Sequence, residues 1–103
     1  MSDEQYERFY WKPLRKIIMA LIDMDVTPYI YTEGPYNSRL KFLTDVPKGK
    51  VFYHFENVDM AEAKRVLGDT AAICGNLSIS RMEFGKKEDI IEETKRLLDV
   101  CAP

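Results

Sequence analysis

Three polar side chains recur at matching points in this 103-residue chain, each at the end of an apolar run: Glu33 after "YIYT", Glu56 after "VFYHF" and Asn76 after "AICG". Two carboxylates and an amide at such positions can orient a polar ligand or move protons. His54, the only histidine, supplies the side chain whose ordinary proton affinity lies nearest neutrality. Arg39 supplies a guanidinium able to hold an acidic group. Each has a plainer reading beside it. Glu33 can be the first polar residue of a loop, His54 a packed or hydrogen-bonded strand residue, and Arg39 half of a surface ion pair. Ser78 reads as a cap for the turn that follows Asn76, and Asp59 caps a helix close to Glu56. Cys74, within an apolar run, reads as a small filler.

Residues of this kind need elements to hold them. "SDEQ" at Ser2 to Gln5 has the form of a capping box, and Leu14, Ile17, Ile18, Leu21 and Ile22 follow at helical spacing, which predicts a helix to about Asp25. Pro13 lies inside that pattern and predicts a kink or split. Strands are predicted over residues 27–32, 51–56 and 70–75, with short helices over 38–45 and 60–67 between them. Gly68 suits a left-handed residue just past the second of these helices. After a turn near 79–84, Ile90, Ile91, Thr94, Leu97, Leu98 and Cys101 mark the apolar stripe of a last helix, with Glu93 among the charges on its other side.

Strands alternating with helices predict an α/β fold with about three parallel strands joined by crossovers. Strand parity then sorts the candidates. Val51, Tyr53 and Phe55 share a face suited to lie under helices, while Phe52, His54 and Glu56 share the other; Tyr29, Tyr31 and Glu33 group together, as do Ala72, Cys74 and Asn76. Three covered parallel strands would leave two open edges, so either more strands or a second copy is expected beside them.

Composition excludes several classes. The 15 Lys and Arg are interspersed with 17 Asp and Glu, giving a formal net charge of -2 and no basic face for nucleic acid. The apolar run Ile17 to Ile22 is far short of the roughly 20 residues of a membrane span. No signal peptide is evident, and the two cysteines, Cys74 and Cys101, have no CxxC spacing, so a reducing cytoplasm is expected. The chain suits a single domain with a modest core.

Several stretches resemble one family. "GDTAAICGNLS", the helix "EDIIEETKRLLDVC", "EGPYNSRLKFLTDVPKGK" and "DMAEAKRVLGD" are similar, in order and spacing, to the C-terminal part of the uroporphyrinogen decarboxylase superfamily, which includes methyltransferases that work with corrinoid proteins. Gly75-Asn76-Leu77 is similar to that superfamily's "GNLDP", with Ser78 and Ile79 in place of Asp and Pro. The resemblance implies part of a TIM-type (β/α)8 barrel, with residues 1–103 forming a single partial domain of about three βα units, inactive alone. It implies decarboxylation of a tetrapyrrole, or methyl transfer in one-carbon metabolism. The expected partners are a small-molecule or tetrapyrrole substrate or a corrinoid protein, and a chain on its own should form a homo-oligomer. The metal-dependent relatives carry H-x-C-G where this chain has Tyr31-Thr32-Glu33-Gly34. That places Glu33 at a metal-ligand position; a carboxylate can ligate zinc, His54 offers a second ligand and a third would have to come from outside this segment, while a decarboxylase needs no cofactor. The resemblance therefore gives Glu33 and His54 as catalytic candidates and Tyr31, Arg39, Glu56 and Asn76 as substrate-binding ones. The rival reading is a small non-catalytic α/β interaction or assembly module.

Overall fold

The computed structural model describes residues 1–102. At the N-terminus the Ser2 hydroxyl accepts from the Gln5 amide at 3.1 Å, and the Ser2 amide donates to the Gln5 side chain at 3.0 Å. This reciprocal cap starts α1 (Asp3–Tyr6), which widens into a π-helical turn (Glu7–Trp11) and continues as α2 (Lys12–Asp23). The split expected at Pro13 takes that form. Proline has no amide proton and its ring crowds the carbonyl four residues back, so the wide turn absorbs the defect just ahead of it and the backbone stays helical throughout. Tyr6, Trp11 and Ile18 are buried along this helix.

The sheet contains β1 (Tyr29–Pro35), β2 (Phe52–Asn57) and β3 (Ala72–Gly75), all parallel, in the order β1-β2-β3. Between β1 and β2 lie a 3₁₀ turn (Asn37–Arg39) and α3 (Leu40–Leu43); between β2 and β3 lies α4 (Met60–Leu67), started by the Asp59 carboxylate, which accepts from the Glu62 amide at 3.2 Å. After β3 come α5 (Ile79–Phe84) and α6 (Lys87–Cys101).

Sheet coverage is one-sided. Val51, Tyr53 and Phe55 are buried against Leu40, Leu43 and Leu67, whereas on the opposite face Tyr29 is 57% and Tyr31 43% exposed. Consecutive parallel strands with helices on one face only are the arrangement of a barrel wall, in contrast to a doubly wound sheet, which reverses its strand order and covers both faces. The chain is thus an α/β sector of three parallel strands from a TIM-type barrel. Its bare face is the one that parity assigns to His54 and Tyr31.

Three expectations change. β1 runs on to Pro35 instead of ending at Thr32, so Glu33 is a strand residue. A register shift between Thr32 and Pro35, with Gly34 at φ +76°, lets the strand curve while it stays paired. Gly68 is helical (φ -55°), so α4 ends without a left-handed residue. α6 is rolled about its axis: Ile90, Leu97, Val100 and Cys101 are half-buried and Glu93 faces inward, while Ile91 and Leu98 are exposed. The roll follows from what α6 meets. Lys64 of α4 donates to the Cys101 carbonyl at 2.9 Å, and Arg81 of α5 meets Glu93, so a charge pair occupies part of the inner face.

Candidate functional site

His54 lies at the centre of the bare face, with Tyr31 of β1 and Cys74 of β3 as its register partners. Its position is built from three sides. The Tyr29 hydroxyl lies 2.6 Å from His54 Nδ1, the Tyr31 ring meets the imidazole edge-on with centroids 4.8 Å apart, and the imidazole covers Gly75. Gly75 has φ +93°, and a Cβ there would fall 2.5 Å from His54 Cδ2 and 2.9 Å from Nε2. Only glycine both adopts that backbone and leaves the imidazole its place. Tyr29 is itself fixed by stacking on Phe52, with ring centroids 5.0 Å apart and planes within 11°. Its hydroxyl also lies 3.8 Å from Cys74 Sγ. Tyr31, His54, Gly75, Asn76 and Met82 border a cavity of about 380 Å3 on this face.

The other candidates are placed less centrally. Glu56 Oε2 accepts from the Gly34 amide at 2.6 Å, so this carboxylate ties β2 to the curved end of β1. Asn76 is left-handed (φ 65°), and its Oδ1 accepts from the Val58 amide at 2.8 Å, holding the β2–α4 connection against the end of β3. Both still border the cavity beside His54. Arg39 stacks over Tyr6 at 4.5 Å, approaches Asp3 at 3.7 Å and donates to the Met1 carbonyl at 3.1 Å, so it anchors the N-terminal turn. With Glu33 and Tyr36 it borders a second cavity of about 290 Å3. Tyr36 is buried, and its hydroxyl pairs with that of Tyr6 at 2.7 Å; burial pushes both phenols above their ordinary range.

Glu33 and His54 therefore border separate cavities, with Tyr31 common to both. Among the described residues no three His, Cys, Asp or Glu side chains come together as metal ligands, so a zinc site using Glu33 and His54 would need a further ligand from outside these residues. The register shift after Thr32 leaves Glu33 beside Tyr6, Tyr36 and Arg39, while His54 stays between Tyr31 and Cys74.

Two further groups join the site without having been singled out by sequence. Tyr29 shares the parity of Tyr31, and that signal was available for assigning it to His54. The second group has a weaker signature. At the C-terminal rim of the strands a larger cavity of about 750 Å3 is bordered by Gly34, Glu56, Asn76, Arg81, Glu93 and Arg96, among others. Arg96 donates to Glu93 at 2.6 Å and Arg81 at 3.3 Å; these bonds, chiefly that from Arg96, hold the Glu93 carboxyl below the usual carboxylate range. The Glu93–Arg96 spacing is visible in the sequence, but the approach of Arg81 depends on how α5 folds back.

Comparison with known proteins agrees with this architecture. The model of the uroporphyrinogen decarboxylase (URO-D) family matches residues 1–102. No curated protein and no solved structure gives a significant match. No helix among the described residues is long and apolar enough to cross a membrane.

Proposed function

The chain belongs to the uroporphyrinogen decarboxylase family, and from that premise we propose that it forms part of the substrate site of a decarboxylase acting on a carboxylate-rich tetrapyrrole. The observation that carries this reading is the bare sheet face with His54 built into its centre by Tyr29, Tyr31 and Gly75. Decarboxylation breaks a carbon–carboxylate bond, leaves the electron pair on carbon and replaces the lost CO2 with a proton. Such a site needs groups that hold the remaining carboxylates and one that donates a proton. Arg81 and Arg96 stand at the rim for the first task and His54, when its ring carries both protons, on the wall for the second. Tyr31 offers a ring against which one pyrrole ring of the substrate can stack, and the Asn76 amide lies at the cavity edge.

Methyl transfer with a corrinoid partner is the second reading. Glu33, at the position of a metal-binding thiolate in the metal-dependent relatives, favours it; the separation of its cavity from that of His54 counts against a metal held by this pair.

A barrel wall of three strands has two unpaired edges, and we propose that further strands cover them, from a second copy when this chain is alone. Sedimentation should show a dimer or larger species; a monomer with a cooperative melt refutes that association. For the site, uroporphyrin is added to 15N-labelled protein. Resonances of Tyr31, His54 and Asn76 should shift while those of Leu40 and Leu67, under the helices, stay. His54→Ala should weaken the effect. Shifts confined to the helical side would overturn the assignment.

A further inference from the structure

The importance of His54 rests on the site proposed above, but its tautomer is a property of the free protein. Its Nδ1 lies 2.6 Å from the Tyr29 hydroxyl oxygen. Either group could be the donor at that distance, and donor and acceptor strengths decide between them. A phenol is a far better donor than a thiol, and an imidazole nitrogen a far better acceptor than a thiol sulfur. The Tyr29 proton therefore goes to Nδ1, and its oxygen is left to accept the weak S–H of Cys74 at 3.8 Å.

We propose that Tyr29 is a positioning residue that locks neutral His54 as the Nε2–H tautomer, so that the imidazole presents a hydrogen-bond donor to the cavity beside Gly75. The Nδ1 lone pair is then occupied and Nε2 carries a proton, so His54 in this state offers no nitrogen to a metal. The ligand atom it addresses is an acceptor, a carbonyl or carboxylate oxygen. Tyr29, stacked on Phe52, keeps the ring oriented before any ligand arrives, which spares the binding step that ordering.

Because His54 is the only histidine, a long-range 1H–15N spectrum of the labelled chain shows one imidazole. At pH about 8.5, well above the ordinary imidazole range, the wild type should show a single Nε2–H form with Nδ1 unprotonated. Tyr29→Phe keeps the ring on Phe52 but removes the hydroxyl, and an Nδ1–H set of signals should appear beside the first. Tyr29→Leu is a second removal, since its side chain carries no donor, and should give the same mixture. An Nδ1–H wild type overturns the inference, as does an unchanged single tautomer in Tyr29→Phe. The wild-type spectrum decides even if the variants fold poorly. Because no ligand is added, failure here is separable from failure of uroporphyrin to bind.

Discussion

Gly75→Ala should damage both stability and site, and the structure allows its size to be worked out. Gly75 has φ +93°, a conformation that costs a residue with a Cβ roughly 1–2 kcal/mol. The new Cβ would also lie 2.5 Å from His54 Cδ2 and closer still to the Phe55 carbonyl oxygen. The imidazole can swing aside, but the carbonyl belongs to the central strand and cannot, so β3 must shift. Overpacking of this kind costs about 1–3 kcal/mol. The two effects together predict a loss of about 2–5 kcal/mol, against a total stability on the order of 5–15 kcal/mol for a small domain. Gly49→Ala is the matched control. Gly49 has φ +75° with nothing within 4 Å of where the alanine methyl would sit, so it suffers the backbone effect alone, about 1–2 kcal/mol. Urea unfolding followed by far-UV circular dichroism measures both. Equal losses in the two variants, to within about 0.5 kcal/mol, would refute the clash.

Further outcomes are expected from the buried and charged pairs. Tyr6→Phe or Tyr36→Phe alone strands one buried hydroxyl and should cost about 1–3 kcal/mol, whereas the double variant should recover part of that loss in a double-mutant cycle. Because both phenols are raised in the fold, their contribution is fully present below the unfolded value of about 10 and is lost as pH rises above it; spectrophotometric titration should show them ionising only as the chain unfolds. Glu93 is lowered, so the contribution of its bonds to Arg96 and Arg81 is present above the ordinary carboxylate value and lost as pH falls through the lowered one; Glu93→Gln should flatten melting temperature against pH below about 4.5, removing about 1 kcal/mol at neutral pH. Asn76→Ala removes both an acceptor for the Val58 amide and a residue tolerant of φ 65°, and should cost about 1–3 kcal/mol in the same denaturation assay.

Much of this architecture is legible because it is local. The Ser2–Gln5 cap, the Asp59 cap and the parity of β2 each depend on spacings of one to four residues, and each stands in the fold as the spacing implies. The parity of a six-residue strand already separates Tyr53 and Phe55 from His54, because alternate side chains must point to opposite faces. The same reasoning groups Tyr29 with Tyr31, yet it says nothing of how far along the sheet each can reach.

Contacts between elements were decided only in three dimensions. Whether Glu33 joins His54 depends on a register shift after Thr32, and the wide turn before Pro13 and the roll of α6 likewise answer to what those helices meet. The His54–Tyr29–Cys74 chain joins three strands, with Tyr29 25 residues from His54 and 45 from Cys74, distances over which no local spacing carries information. The sequence by itself determined the family, the alternation of strands and helices and the face on which each strand residue lies, since these rest on short-range periodicity and on motif order. Only the tertiary structure decided that Glu56, Asn76 and Arg39 spend polar atoms on holding loops and that His54 receives its partner from Tyr29, because a hydrogen bond is fixed by distances of a few tenths of an ångström between parts of the chain that meet only when it folds.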